Sequence, residues 1–365
     1  MIQVHRQSYP SSVSGKRIAL TLGSGGARGY AHIGVIEELL ARGYEITAIA
    51  GCSMGALIGG IYAAGQLEAY RQWSEELSTF GVLRLLDVTF GSMGAMHGKK
   101  VMGKIESFIG DIQIEDLPIP FTAVATDLVR QREVWFQRGS LLKAIRASIA
   151  IPGVFTPVED EARFLVDGGL LNPLPILSTV SEEADLMMAV NATAINAANV
   201  TLRDLLPEEN AEAESSSNSR SRSFAKSSAK RLFLGELRRS GRHDPLKEAS
   251  DDVEAHELND DEKEEATHRL LASVRRTAEA DRAERGVVAL GKKEWSRLAM
   301  ILMSFDVTQA ALARYKIAGC PPDILVEIPK SVCGSFEFHR AHDLIRLGRH
   351  LTSQALDRLE RYTDG

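Results

Sequence analysis

Short apolar runs that end in glycine alternate with helical patterns over the first part of the chain. Residues 17–22 form an apolar run closed by glycines, which predicts a buried strand. Residues 31–42 repeat apolar positions at helical spacing and end before Gly43, which predicts a helix. A second strand over residues 46–50 and a second helix over residues 56–64 follow. This alternation indicates β-α-β units, in which helices cover both faces of a mostly parallel sheet.

Further apolar runs extend this pattern toward the end of the chain. They predict strands at residues 121–125, 133–136, 163–166, 186–191 and 323–328. The expected fold class is therefore α/β.

The composition changes sharply near residue 203 and returns to a globular pattern near residue 296. The segment between them is rich in charged residues and carries a serine-rich run, both typical of disorder. We therefore expect a flexible leader, a core, a charged insertion that is largely disordered or helical, and a C-terminal part that completes the same domain. These are residues 1–15, 16–202, 203–295 and 296–365.

The charged insertion permits two interpretations. Its basic block, residues 220–242, contains Phe224 and the apolar residues 232–234, so it could form an amphipathic helix on an anionic membrane surface. Alternatively, this block and the acidic residues 244–265 screen each other in a solvated linker. Because apolar residues are few, we favour the linker.

Net charge and cysteine content exclude several classes of protein. The formal net charge of -6 argues against a dedicated nucleic-acid-binding protein, which is usually basic. The three cysteines form no C-x-x-C pair, so neither a disulfide framework nor a thiolate zinc site is expected. This cysteine usage fits a reducing cytoplasm, and residues 1–16 contain no apolar segment of a secretory signal.

Residues 46–65 lack acidic and basic side chains, and they are long enough to suggest a transmembrane helix. Gly55 and Gly59 even form the G-x-x-x-G pattern of transmembrane helix pairs. Gly51 and Gly55, however, punctuate the middle of the run. A strand, a tight turn and a helix explain the segment better.

Gly51, Ser53 and Gly55 form a G-x-S-x-G motif between the second predicted strand and the second predicted helix. A serine in this context stands on a strained turn with its hydroxyl presented to substrate, as a nucleophile does. The helix N-terminus behind it carries partial positive charge, which favours a developing oxyanion. Ser53 is therefore the predicted nucleophile.

A second glycine-rich loop, residues 23–29, also lies between a strand and a helix. The backbone N–H groups of such a loop can hold a phosphate or an oxyanion. A dinucleotide-binding fingerprint is a competing interpretation, but Arg28 stands where it requires glycine and the second strand ends without an acid for a ribose. A purely structural glycine turn is a further alternative.

No histidine is identified as the general base by its local motif. His339, His342 and His350 lie in the last helical region and could complete a Ser-Asp-His triad. Residues 167–169, Asp-Gly-Gly, follow a predicted strand, so Asp167 could instead accept the serine proton directly. An Asp-Gly pair also starts ordinary turns.

Together these motifs resemble the patatin-like phospholipases, most closely bacterial members similar to the catalytic domain of neuropathy target esterase. The resemblance is close over residues 16–192 and looser over residues 298–349, and it skips the insertion. The matching segments are residues 22–29, 51–55, 121–128, 147–152, 167–169 and 321–323.

The resemblance implies a three-layer α/β/α sandwich with a mostly parallel central sheet, and a Ser-Asp dyad without histidine. Ser53 would attack the acyl carbonyl and Asp167 would act as the base. Backbone N–H groups at Gly25 and Gly26, with Arg28 beside them, would form the oxyanion hole. The glycines expected to support these motifs are Gly23, Gly51, Gly55, Gly168 and Gly169.

Two positions complicate this assignment. Ser24 stands where the family pattern has the first glycine of a triplet, and a serine there is costly if its φ angle is positive. Asp127, at the end of another predicted strand, is a rival base. The resemblance implies a structural role for that position.

The expected function is hydrolysis of acyl esters in phospholipids or lysophospholipids by a cytoplasmic serine hydrolase without metal or cofactor. We expect no nucleic-acid partner, and transient contact with the inner membrane surface through residues 90–96, including Met96. One alternative is an α/β-hydrolase whose triad contains His339 or His342. Another is a catalytically silent module that binds a lipid or a protein partner.

Overall fold

The structure is a computed structural model that describes residues 15–85, 88–91, 94–195, 200–206 and 297–363. The strands in these ranges are β1 Arg17–Leu22, β2 Glu45–Cys52, β3 Val88–Gly91, β4 Gly94–Met96, β5 Phe121–Asp127, β6 Arg132–Phe136, β7 Val158–Asp160, β8 Arg163–Asp167, β9 Leu186–Ala194 and β10 Ile324–Pro329. The helices are α1 Ala31–Ala41, α2 Met54–Ala63, α3 Leu67–Glu75, α4 Thr79–Leu85, α5 Lys99–Ile109, α6 Leu141–Ser148, α7 Leu202–Leu205, α8 Arg297–Gly319 and α9 Ala341–Thr363.

Eight of these strands form one sheet. Strands β10, β9, β1, β2 and β5 lie side by side in that order and are parallel. Strands β6 and β8 pair antiparallel with β5, and β7 pairs antiparallel with β8. β3 and β4 form a separate hairpin. The central sheet is therefore mostly parallel, as the sequence predicts.

Both faces of the sheet are buried. On one face, Leu20 of β1 belongs to a core cluster that includes Ile36 of α1 and Leu344 of α9. On the other face, Ala189 of β9 packs against Ala313 of α8. Because side chains of a strand alternate between faces, the apolar run of β9 supplies both cores. The result is an α/β/α sandwich, which confirms the expected fold class.

The uncharged residues 46–65 fold as β2, a tight turn and α2, so the transmembrane interpretation is wrong. Within the ranges listed above, no helix combines the length and the hydropathy that crossing a membrane requires.

Most of the predicted insertion lies outside the described residues, and so does its proposed amphipathic helix. Its first residues are described and belong to α7, which a capping box at Thr201 and Asp204 begins. The leader is outside the described residues except for Gly15. The four-part division of the chain stays a prediction.

Candidate active site

β2 and β8 pair with consecutive segments of the same edge of β5. The pairing of β2 with β5 stops at Cys52 and Val124, and the pairing of β8 with β5 begins at the next residue, Ala125, opposite Asp167. β6 pairs with β5 at positions that overlap both segments, so it occupies the opposite edge. The residue after β2, Ser53, is thereby brought beside the last residue of β8.

Ser53 stands on a strained turn between β2 and α2. Its φ and ψ angles are 54° and -120°, a conformation that L residues rarely adopt. Only glycine fits at Gly55, since a Cβ atom there would lie 2.0 Å from the carbonyl oxygen of Leu22. A nucleophile elbow requires the same kind of strained backbone and an equally close approach between helix and strand.

The Ser53 hydroxyl donates a hydrogen bond of 2.6 Å to Oδ2 of Asp167. The backbone N–H of Gly169 donates to Oδ1 of the same carboxyl at 2.7 Å. Burial raises the pKa of Asp167 from 3.8 to about 7, and these two hydrogen bonds only partly oppose the shift. A carboxyl with this pKa can accept and return a proton near neutral pH.

Ser148, the last residue of α6, holds the strained turn in place. Its hydroxyl accepts the backbone N–H of Ser53 at 2.9 Å and donates to the carbonyl oxygen of Val124 at 2.6 Å. The side chain therefore ties the backbone of Ser53 to β5. Sequence reasoning missed this role, although Ser148 lies in a segment, residues 147–152, that carries the family resemblance.

The glycine-rich loop presents two backbone donors. The N–H groups of Gly25 and Gly26 have no hydrogen-bond partner within the described ranges. Ser24 differs, because its N–H donates to the carbonyl oxygen of Pro173 at 2.8 Å. Ser24 also has no positive φ angle, so the backbone strain that a positive φ would cause is absent. Gly26 carries the positive φ, at 55°.

Arg28 uses its guanidinium to hold the glycine-rich loop. Its Nε donates to the carbonyl oxygen of Gly25 at 3.1 Å, and one terminal nitrogen donates to that of Lys330 at 3.3 Å. The other terminal nitrogen donates to Asp306 at 2.9 Å and to Ser335 at 3.0 Å. This geometry does not favour Arg28 as a direct oxyanion donor. It indicates that Arg28 positions Gly25.

The rival base and the histidines lie elsewhere. Asp127 accepts the N–H of Val129 at 3.0 Å and a guanidinium hydrogen bond from Arg130 at 3.0 Å. Burial would raise the pKa of Asp127, but these hydrogen bonds outweigh it and the pKa is lowered. Among the described histidines, none has a ring nitrogen within hydrogen-bond distance of Ser53 or Asp167.

His32 supports the glycine-rich loop. Its Nε2 donates to the carbonyl oxygen of Gly23 at 2.8 Å, while burial lowers its pKa to about 4. The ring is therefore neutral near pH 7.

A cavity of about 250 Å³ opens over Ser53. Most of its lining is apolar or aromatic: Tyr30, Met54, Leu57, Tyr70, Trp73, Leu77, Val82, Leu85, Met96, Val101, Ile149, Ile151, Val154, Phe155, Leu302, Met303, Phe305, Val307, Phe336 and Phe338. Ser53, Gly25 and Gly26 also line the cavity. The remaining lining residues are polar, and we call them the polar end: Ser24, Arg28, Asp306, Gln309, Lys330 and Ser335. Met96 is 4% exposed inside this lining, so its side chain is buried, and the membrane contact predicted for residues 90–96 stays a prediction.

Sequence comparison decides the family. Residues 20–180 match the patatin-like phospholipase family. An NTE (neuropathy target esterase) family protein of Mycobacterium tuberculosis is 41% identical over 348 residues, which cover 95% of this chain and 93% of that protein. The chain belongs to the NTE family of patatin-like phospholipases. The suspected resemblance is thereby confirmed, and the protein is a carboxylic ester hydrolase.

Two longer relatives match only part of this NTE family protein. Neuropathy target esterase sws of Drosophila melanogaster is 32% identical over 199 residues, which cover 53% of this chain and 13% of that protein. Lysophospholipase nte1 of Emericella nidulans is 33% identical over 186 residues, which cover 50% of this chain and 12% of that protein.

The cavity of this NTE family protein extends beyond the residues that match the patatin-like family. Residues 20–180 contain Ser53, Asp167, Ser148 and the glycine-rich loop. Part of the wall and most of the polar end come instead from α8 and from residues 330–338. The looser resemblance over residues 298–349 was the only sequence signal for this contribution.

Proposed function

We propose that this NTE family protein hydrolyses acyl esters of phospholipids or lysophospholipids, with Ser53 as the nucleophile and Asp167 as the general base. The observation that carries the proposal is the 2.6 Å hydrogen bond between these two side chains at the floor of an apolar cavity. An ester whose acyl chain fills the cavity would place its carbonyl carbon over Ser53.

The reaction passes two protons, one after the other, through the same carboxylate. Asp167 takes the proton of the Ser53 hydroxyl as Oγ bonds to the carbonyl carbon, and the tetrahedral intermediate then expels the alcohol, which leaves with that proton. Water next attacks the acyl-enzyme. Asp167 accepts a proton from the water and returns it to Ser53 as the fatty acid leaves.

The oxyanion of each tetrahedral intermediate requires fixed donors. We assign to it the N-terminus of α2 and the N–H groups of Gly25 and Gly26, which no described residue accepts. Removal of one such donor typically lowers kcat by about 100- to 1,000-fold. Arg28 acts in this proposal through the position of Gly25.

Contact with a membrane is part of the proposal, because the substrates reside there. The helices that line the cavity also carry exposed apolar side chains, namely Phe80 of α4 and Met300 and Ile301 of α8. We expect these residues to touch the cytoplasmic face of the inner membrane transiently. Changing Phe80 and Met300 to Asp should lower activity on vesicles and leave hydrolysis of a soluble ester unchanged; equal loss on both substrates would contradict this.

The test compares hydrolysis of a p-nitrophenyl ester and a lysophospholipid by four forms of the protein. These are the wild type, Ser53→Ala, Asp167→Asn and a variant with both His339 and His342 changed to alanine. The proposal expects loss of turnover in the first two variants and near-normal turnover in the third. Loss in the histidine variant with activity retained by Asp167→Asn would favour a triad, and an inert wild type would favour a binding module.

A further inference from the structure

The polar end of the cavity has its acceptors already occupied by protein groups. Oδ1 of Asp306 accepts from Arg28 at 2.9 Å, and Oδ2 lies 3.6 Å from Nζ of Lys330. The guanidinium of Arg28 is in turn used in bonds to the protein. Oε1 of Gln309 accepts from the hydroxyl of Ser24 at 3.2 Å.

The polar groups that remain for a ligand are donors. Nζ of Lys330 has one carboxylate oxygen nearby and further N–H groups to donate. The hydroxyl of Ser335 accepts from Arg28, so its own hydrogen is left to donate. Nε2 of Gln309 has no hydrogen-bond partner among the residues that the structure describes. Since Gln309 is 4% exposed and lines the cavity, this amide is a buried donor at the cavity wall that the described part of the protein leaves unpaired.

The charge of this end also favours an anion. Arg28 and Lys330 contribute two positive charges and Asp306 contributes one negative charge, so one positive charge is not balanced within the polar end. The walls around it are apolar, which strengthens electrostatic attraction compared with bulk water.

The polar end adjoins the nucleophile and the base. A Cβ atom on Gly29, next to Arg28, would lie 2.4 Å from Cβ of Met54, the residue after Ser53. A Cβ atom on Gly169 would lie 2.1 Å from Nε2 of Gln309 and 3.0 Å from Oδ1 of Asp167. A ligand at the polar end therefore shares the cavity with an ester that reacts at Ser53.

We propose that Lys330, Ser335 and Gln309 form an anion subsite that binds the headgroup phosphate of a lysophospholipid while its acyl chain lies on the apolar walls. The inference rests on the proposed function and narrows its substrate class. A phosphate accepts hydrogen bonds from all three donors and neutralises the excess charge. The hydroxyl groups of a neutral monoacylglycerol do not supply that charge.

Direct binding to the Ser53→Ala variant tests the subsite without turnover. The ligands are a short-chain lysophosphatidate and the monoacylglycerol with the same chain, both below their micelle concentrations and titrated in a calorimeter. Adding Lys330→Gln should raise the Kd for lysophosphatidate about tenfold, as expected for one charge-assisted hydrogen bond. The Kd for monoacylglycerol should not change, and Lys330→Arg should largely restore lysophosphatidate binding.

Lys143→Gln is the matched control, because Lys143 is exposed on α6 and does not line the cavity. It should leave both dissociation constants unchanged. The subsite would be overturned if Lys330→Gln changed the Kd of both ligands equally. It would also be overturned if Lys143→Gln raised the Kd of lysophosphatidate as much as Lys330→Gln does. Inorganic phosphate that binds as tightly as lysophosphatidate would identify a site for free anions and overturn the headgroup assignment.

Kinetics separate failure of the subsite from failure of the proposed function. With Ser53 in place, Lys330→Gln should raise KM for lysophosphatidate about tenfold more than it raises KM for monoacylglycerol. If both substrates are hydrolysed and Lys330→Gln affects them equally, the subsite is overturned and the proposed function stands. Failure to hydrolyse any ester would overturn the proposed function, and the calorimetric result would then decide the subsite independently.

Discussion

Replacing Asp167 with asparagine should make the protein more stable, and increasingly so as the pH rises. Burial raises the pKa of this carboxyl from 3.8 to about 7 in the folded protein. A raised carboxyl pKa means that the folded state binds the proton more tightly than the unfolded chain does. The wild type therefore loses stability as pH increases from 3.8 through about 7, and it reaches its full loss above pH 7.

The size of the stability loss follows from the size of the pKa shift of Asp167. A change from 3.8 to about 7 is roughly 3 pKa units, and at 1.36 kcal/mol per unit it amounts to about 4 kcal/mol at pH 8. Asparagine has no charge to desolvate, and its amide can keep the hydrogen bond to Ser53. We expect the free energy of unfolding of Asp167→Asn to exceed that of the wild type by about 3–4 kcal/mol at pH 8 and by less than about 1 kcal/mol at pH 4.

Urea denaturation at half-unit intervals from pH 4 to pH 8 measures this difference. Asp127→Asn is the matched control, because hydrogen bonds lower the pKa of that buried carboxyl. Its effect should have the opposite sign: Asp127→Asn destabilises the protein at pH 7, and the difference shrinks as the pH falls. A stability difference for Asp167→Asn that does not vary with pH would refute the argument from burial.

Three further predictions concern the same site. The kcat/KM of the wild type should rise about tenfold per pH unit below pH 7 and level off above it, because only ionised Asp167 accepts the proton; a flat profile from pH 5 to pH 8 would contradict this. Ser148→Ala should lower kcat and cost about 1–3 kcal/mol of stability in thermal melts, since it leaves the Ser53 N–H without its acceptor; unchanged kcat would exclude the positioning role. Gly55→Ala should cost about 1–3 kcal/mol or more in urea denaturation, because the methyl group meets the Leu22 carbonyl at 2.0 Å. In the control, Gly103→Ala, the added methyl group has no atom within 4 Å, so the substitution should be neutral or stabilising.

Features encoded by short stretches of sequence could be predicted. The apolar runs placed most strands of the main sheet, and the G-x-S-x-G motif located the turn at Ser53 because both depend on neighbouring residues. The three-residue strand β7 was missed, since a strand this short has too few positions to show alternation. The side chains of Ser53 and Asp167 come together although they are 114 positions apart, and the family resemblance supplied that pairing before the sheet register explained it.

Contacts between distant segments could not be predicted. The orientation of Arg28 depends on Asp306 and Ser335, which are 278 and 307 positions away in the sequence. A long side chain can extend toward several partners, and its own local sequence does not choose among them. The contribution of Gln309 to the cavity was missed for the same reason, because α8 follows the charged insertion and has no motif of its own.

The parallel pairing of β9 with β10 has a consequence for how the chain can be divided. These adjacent strands lie on opposite sides of residues 207–296 in the sequence, and α9, which follows β10, packs against α1. A peptide-bond break anywhere in residues 207–296 therefore leaves two pieces joined by a hydrogen-bonded strand pair and a helix interface. Such a nicked protein has to unfold its sheet before the pieces separate, so the two halves of the gene, expressed as separate polypeptides, are a natural pair for reassembly into one enzyme.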